Sequence, residues 1–421
     1  MLKRQVGVAG AVMMGLGSII GTGVFVSIGI AAEVTGPAVI LAVIMAAFVA
    51  IFNGLNSAQL AASHPVSGGT YEYGYQYLNP QWGFVAGWTF LLAKSASAAT
   101  AALGFAGYLL DALEIEAGLR VPLALAAVIV LTLIILGGIQ RSNRVNMVIV
   151  SVTLLVLAIF VLTGFTVFDT QNLTPFIVSS AENATPLSGF LYATALMFVA
   201  YTGYGRIATL GEEVIEPRRT IPRAVVAALF VTMLVYTLVA IVSVGSVGAA
   251  ELSRYTTSAA APLEGVAQTF NIPGVPQLVA LGAITAMLSV LLNLILGLSR
   301  VLLAMGRRKD MPPIVAKISG KNSPDVAVIV MGIVIAGLVL IGNVKTTWSF
   351  SAFTVLIYYS ITNLAALQLP QDKRMFPRII AWCGLIACLL LAFQVETTIW
   401  LVGLVLIGAG LVWQQMAKRL F

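Results

Sequence analysis

Charge is the scarcest commodity in this chain. Only 9% of its 421 residues are Asp, Glu, Lys or Arg, against 59% hydrophobic residues. That balance excludes a soluble domain of ordinary composition. There is one histidine, His64, and there are two cysteines, Cys383 and Cys388. The cysteines stand five residues apart in one apolar stretch, on different faces of a helix, so no disulfide framework follows. A lone histidine beside Pro65, without Cys or acidic neighbours, supplies no metal site. The net charge of +7 comes from scattered residues. No basic patch interleaved with aromatics supports nucleic-acid binding. An enzyme would need a cluster of His, Asp, Glu or Cys near one membrane face, and none is found. No cofactor is expected.

What the chain has in abundance is long apolar runs. About twelve stretches are long enough to cross a bilayer, near residues 8–32, 37–57, 83–111, 121–140, 145–168, 187–212, 222–247, 276–305, 325–343, 347–368, 378–394 and 396–417. They predict an all-α, multi-pass membrane protein. Lys3 and Arg4 precede the first stretch, which lacks a convincing cleavage site and is expected to be retained. With the N-terminus inside, basic residues such as Arg141, Arg144, Arg218, Arg219, Arg223, Arg307, Arg308, Lys309, Lys373, Arg374 and Lys418 fall on the cytoplasmic side. Arg120, Arg254 and Lys345 fall outside. This asymmetry follows the positive-inside rule, and places both termini in the cytoplasm of a cell with this protein in its plasma or bacterial inner membrane.

Span one is interrupted. Gly15, Gly17, Gly21 and Gly23 break the run Gly15–Phe25, and each interior glycine costs a helix about 1 kcal/mol relative to alanine. Backbone freed from helical pairing in a bilayer is tolerated only against protein or water. There it exposes N–H and C=O groups able to hold a small zwitterion. The competing reading is packing, since Gly17 and Gly21 also form a small-xxx-small contact. A second run, Phe198–Arg206, carries Gly203 and Gly205 in span six, five spans later. Breaks at matching positions in halves with an odd number of spans point to inverted repeats around a central site. The halves are residues 8–168 and 187–368, with 378–417 forming two further helices of the single domain 1–421. Two unlike breaks in inverted halves also differ from a channel, which repeats one pore-lining motif around a symmetric assembly.

The run Gly17-Ser18-Ile19-Ile20-Gly21-Thr22-Gly23-Val24-Phe25 resembles the G-x-x-x-G-[ST]-G-[IV]-F signature of the amino acid/polyamine/organocation (APC) superfamily. Pro65–Tyr71 resembles its P-x-[AS]-G-G-x-Y loop, and Gly211–Ala224 its E-E-V-x-x-P-x-[KR]-x-I-P-[KR]-A segment. Ser299-Arg300 through Met311-Pro312 resembles the end of its eighth helix. The resemblance implies a LeuT-like 5+5 inverted repeat with helices one and six discontinuous, moving amino acids by alternating access. It assigns the substrate to Ser18, Ile19, Ile20, Gly21, Thr22 and Gly23 of helix one and to Phe198, Val199, Ala200, Tyr201, Thr202 and Gly203 of helix six. Backbone around Ile19, Gly21, Thr22 and Gly23 would hold the carboxylate, with the carbonyls of Ile19, Val199 and Thr202 facing the ammonium.

Two departures bear on the substrate. Val199 stands where many members carry an aromatic gate, which leaves Phe198 or Tyr201 to close the site, or room for a larger side chain. Tyr204 is followed by Gly205 and Arg206 where many members carry a carboxylate. The expected substrate is therefore a neutral L-amino acid; an exchanger or exporter without proton coupling, or a cationic amino acid or polyamine carrier, are the alternatives.

Lys94 is the sharpest oddity. Ten residues beyond Phe84 it reaches about 15 Å into a hydrocarbon core about 30 Å thick. A charged lysine there costs at least about 2.5–3.5 kcal/mol and should face the bundle interior. Burial disfavours its ammonium and favours exchange of a proton. Some sodium-independent members of the superfamily place a lysine on helix five, where this chain has Thr153. Lys94 could supply that charge from helix three, with Ser289 of helix eight as a neighbour; a structural lysine bonded to carbonyls is the competing reading. Arg206 is expected to pair with Glu213, to line the inner vestibule, or to meet the substrate carboxylate during release. Glu212 and Glu213 are expected to partner Arg218, Arg219 and Arg223. The lipid bilayer, an amino acid and a proton are the expected partners, and the oligomeric state is open.

Overall fold

A computed structural model describes residues 6–64, 68–137, 143–177, 185–208, 214–318 and 324–420. Capping side chains open several of the helices. Asn79 accepts from the Trp82 N–H with Pro80 behind it, opening α5 (Pro80–Ala112). Thr185 caps the helix that begins at Pro186 in the same way, and Asn343 accepts from the N–H groups of Lys345 and Thr346. In each case a polar side chain satisfies donors that a helix start leaves unpaired, and where proline follows it supplies a pre-set φ and no donor of its own.

Span one comprises α1 (Val8–Ile19), a π-helical turn (Gly23–Ser27) and α2 (Ile28–Thr35); α3 (Val39–Ser63) returns, and the short α4 (Thr70–Tyr77) precedes α5. Next come α6 (Arg120–Leu136), α7 (Asn143–Gly164), α8 (Pro186–Tyr201), a 3₁₀ turn (Thr202–Tyr204), α9 (Gly205–Ala208) and α10 (Pro217–Ser258). The short α11 (Pro262–Gln268) and α12 (Val275–Arg307) lead to α13 (Asp325–Val339), α14 (Val344–Leu367), α15 (Arg378–Ala392) and α16 (Thr397–Leu420). Among the described residues, eight helices are long and apolar enough to cross a membrane, and Val8–Ile19, Arg120–Leu136, Asp325–Val339 and Arg378–Ala392 are shorter apolar helices. The chain is an all-helical polytopic membrane protein.

The centre of the bundle is α5, whose Ala98, Ala99, Ala101 and Ala102 are fully buried. Small side chains let neighbouring helices close to hydroxyl distance. Thr100 meets Thr347 and Ser97 meets Ser351 of α14, each at 2.7 Å. The outer surface is the reverse: Leu155, Leu162, Ile333 and Val405 are exposed, as lipid contact requires.

Contacts between loops define two ends. At one, Val6 bridges Val214, Trp413 donates to the Asp310 carbonyl, and Arg308 pairs with Glu72. Tyr71 and Tyr75 there both donate to one Asp310 oxygen at 2.7 Å, and the Arg308 guanidinium lies over the Tyr75 ring. Gly68 (φ 133°) and Gly69 (φ 59°) turn the chain into α4 with dihedrals that favour glycine. At the other end Lys345 bonds Glu33 and Glu396. Pro65, Glu212 and Glu213, and the cations Lys3, Arg4 and Arg141, lie outside the described residues.

Candidate functional site

The glycine-rich run of span one breaks the helix at the expected place. The last α1 bond is Ile20 N–H to the Leu16 carbonyl, after which Ile20 turns extended (φ −79°, ψ 113°). The chain restarts with Val24 and Phe25 both donating to the Gly21 carbonyl, and continues as a π-helical turn. Such turns are rare and cluster at functional sites. The first N–H groups of the second half, at Thr22 and Gly23, have no preceding helical carbonyl to receive them, and they carry the positive end of a helix dipole. Thr22 is 3% exposed, and its hydroxyl has no hydrogen-bond partner.

Span six differs from the expectation. Its break is a single 3₁₀ turn, with Thr202 (φ −68°, ψ −2°) and Gly205 (φ −53°, ψ −27°) still right-handed. A tightened turn keeps its carbonyls engaged. The Val199 carbonyl accepts from both the N–H and the hydroxyl of Thr202. The Thr202 carbonyl receives the Gly205 N–H and the Tyr359 hydroxyl, and the Ile19 carbonyl receives the Tyr236 hydroxyl at 2.9 Å. The three carbonyls expected to face a substrate ammonium thus each accept at least one hydrogen bond within the chain in this conformation.

The glycines also have packing partners. A Cβ on Gly203 would overlap the Ser18 carbonyl, and one on Gly23 would come within 2.7 Å of the Ala200 Cβ. One on Gly21 would stand 2.6 Å from a Val290 methyl. The packing and break readings therefore both hold: missing side chains bring the interruption of span one against the turn of span six.

Lys94 reaches this junction. Its Nζ donates to the Thr202 hydroxyl at 2.7 Å. Thr202 in turn donates to Val199, so the ammonium is tied to the turn of span six. Among the described residues, none of the recorded salt bridges involves Lys94. Ser289 is buried on α12 and Thr153 on α7. Ser18, Lys94, Gly203 and Gly205 keep partial solvent access, and Arg206 is exposed. Ile20, Gly21, Thr22, Gly23, Phe198, Val199, Ala200 and Tyr201 are buried.

Four tyrosines complete the junction. Tyr236 bonds Ile19 and packs on Tyr201 at 5.3 Å, while Tyr359 packs edge-on against Phe198 at 5.6 Å and against Tyr204 at 5.4 Å. Tyr201 donates to the Val43 carbonyl. Tyr236 and Tyr359 were not legible as site residues; the available signal was a phenol within an apolar span, away from the interfaces where tyrosine normally concentrates.

A central interrupted helix inside an all-helical bundle, with free N–H groups and an orphan hydroxyl at the interruption, defines a polytopic membrane protein with a buried polar site. The family described as amino acid permease matches residues 10–418, and the chain belongs to that family. An uncharacterized transporter of Mycobacterium tuberculosis is 39% identical over 410 residues, covering 97% of this chain and 90% of the relative. A branched-chain amino acid permease of Bacillus subtilis is 27% identical over 340 residues, covering 76% and 71%. A vacuolar cationic amino acid transporter of Arabidopsis thaliana is 25% identical over 385 residues, covering 87% and 63%.

Proposed function

We propose that this permease carries neutral L-amino acids by alternating access, without sodium, and that Lys94 is its coupling charge. The proposal assigns about twelve crossings, arranged as inverted halves 8–168 and 187–368 followed by two peripheral helices, with both termini in the cytoplasm of a cell membrane. The observation that carries the site reading is the orphan Thr22 hydroxyl at the start of an interrupted half-helix. A substrate carboxylate there would take the N–H groups of Thr22 and Gly23 and the Thr22 hydroxyl, at the positive end of the helix dipole.

The substrate class follows from charge. The turn of span six has Gly205-Arg206 where a cationic substrate would want a carboxylate, and the Lys94 ammonium is bonded one residue before Gly203. Two like charges in one low-dielectric pocket repel by several kcal/mol, so arginine and polyamines are disfavoured. Among the relatives, one is named for branched-chain and another for cationic amino acids, so the substrate reading rests on the charges of this chain.

Proteoliposomes decide the matter. Neutral L-amino acids should accumulate under an inward proton gradient with sodium absent. Lys94→Met should remove the pH dependence, and Lys94→Arg, which cannot release its proton, should stall the cycle. Uptake confined to arginine or polyamines would end the substrate assignment. A sodium requirement, or full pH-driven accumulation by Lys94→Met, would make Lys94 structural.

A further inference from the structure

On the face opposite the chain ends, α11 is folded down between α10 and α12 and touches the π-helical turn of span one. Its entry is tight. Ala260 is fully buried with φ 59°, a left-handed conformation unusual for alanine, and a Cβ on Gly107 of α5 would overlap the Ala259 carbonyl. Tyr108 bolts α11 to the substrate helix: its hydroxyl receives the Leu263 N–H at 3.1 Å and donates to the Phe25 carbonyl at 2.7 Å. Beside that bolt sits Glu264, 3% exposed, with one carboxyl oxygen buried and unpartnered.

Among the described residues, the surroundings offer this carboxyl no cation. From α5 come the Tyr108 phenol and Asp111, a second acid whose charge bears on Glu264. From α10 come the Tyr255 ring, which packs on Gly265, and the Glu251–Arg254 pair, which is satisfied within itself. The outer end of α12, from Val275 onward, and the turn Gly23–Ser27 hold no titratable side chain near it. Arg120 is bonded to the Ser258 carbonyl. Among the described residues, no recorded salt bridge involves Glu264 or Asp111. A carboxylate buried this way, next to another acid, is costly unless it takes up a proton.

We propose that Glu264 is a proton-binding site that latches α11 in its seat against the outer half of span one: the carboxyl holds a proton while α11 is seated and releases it when α11 lifts into water. The site lies outside the substrate junction, and the inference stands whether or not the substrate reading does.

The sign follows from linkage. Burial first, and the Asp111 charge second, push the seated carboxyl up to about 8, whereas a solvated glutamate releases its proton near 4.3, about its ordinary value. Between those limits seating takes up a proton, so seated α11 should become about tenfold less favoured per pH unit as pH rises.

The test uses the full chain in nanodiscs, with Cys383 and Cys388 replaced and Ala261→Cys as reporter, since Ala261 is buried behind the seated helix. Maleimide modification is followed from about pH 5 to about pH 9 with Glu264 present and with Glu264→Gln, which mimics the protonated form. Taking the ratio of the two rates cancels the pH dependence of the thiol itself. That ratio should rise with pH, approaching about tenfold per unit at its steepest, and a ratio that stays flat overturns the proposal. Asp111→Asn, with Glu264 intact, should make the rise level off at lower pH, because only the seated value falls. Should Glu264→Gln not fold, the Asp111→Asn arm referred to the parent decides alone, and an unmoved profile counts against the latch.

Discussion

Thr22→Val separates a binding residue from a structural one. Valine matches threonine in shape and replaces the hydroxyl by a methyl. At most buried threonines this exchange loses an internal hydrogen bond, but the Thr22 hydroxyl has no partner to lose. The unliganded protein carries instead the cost of a buried unpaired hydroxyl, about 1–3 kcal/mol, so the valine variant should be at least as stable as the parent. In the bound state the hydroxyl would donate to a carboxylate, and a hydrogen bond to a charged group contributes about 1.5–3 kcal/mol. Its loss should weaken binding about 10- to 150-fold.

The two effects have opposite signs, which is what makes the experiment discriminating. Thermal unfolding of purified protein without substrate should show Thr22→Val unchanged or raised, and isothermal titration with the transported amino acid should show the loss of affinity. Thr22→Ser keeps the donor and should restore most of it. If Thr22→Val binds as tightly as the parent, the carboxylate is not at the interruption of span one. If the variant instead unfolds several degrees earlier, the hydroxyl has a structural partner and the reasoning from its isolation fails.

Gly203→Ala should destabilise the protein by about 1–3 kcal/mol, because the added methyl meets the Ser18 backbone, which cannot swing aside as a side chain can; unchanged thermal unfolding would refute that. Asp310→Asn should cost about 2–4 kcal/mol, since one Asp310 oxygen receives the hydroxyls of both Tyr71 and Tyr75, and chemical unfolding measures it. Burial and then Asp310 raise the Tyr71 phenol above its usual range, and burial with its Asp310 hydrogen bond does the same at Tyr75. Stability from such raised groups is complete below the ordinary phenol value, about 10, and is lost only as pH climbs past it. The Asp310→Asn penalty should therefore be constant from neutral pH to mildly alkaline conditions, and a penalty that shrinks there would show the phenols ionising early.

Hydropathy made the apolar helices legible but not their ends: 325–343 was expected where α13 runs Asp325–Val339, whereas 222–247 was expected where α10 runs Pro217–Ser258. The reason is that lipid imposes one local demand, apolar length, on every crossing. The interruption at Ile20 was legible for a similar reason, since glycines beside an apolar β-branched pair leave little to hold a helix together. Which partner a polar group finds across the bundle is set by packing between distant segments. Lys94 was recognisable as facing the bundle interior, yet its bond to Thr202 of span six joins residues 108 positions apart.

The glycines of span six expose the deeper ambiguity. A missing Cβ permits a helix to break and equally permits two helices to touch, and a sequence records only the omission. In span one the backbone at Ile20 turns extended, so the omission is spent on interruption as well as on contact. In span six the same residue type, at a matching place in the chain, leaves the turn right-handed, and Gly203 lies flat on the Ser18 carbonyl. The two breaks are therefore unequal in this conformation: span one offers unpaired donors to a ligand, while span six has its carbonyls filled. A substrate ammonium that needs those carbonyls competes with the Tyr236 and Tyr359 hydroxyls at Ile19 and Thr202. Tyr236→Phe and Tyr359→Phe, which remove those hydroxyls while keeping the rings, should then tighten binding of an amino acid, whereas binding weakened by either change would mean that the phenols themselves hold the substrate.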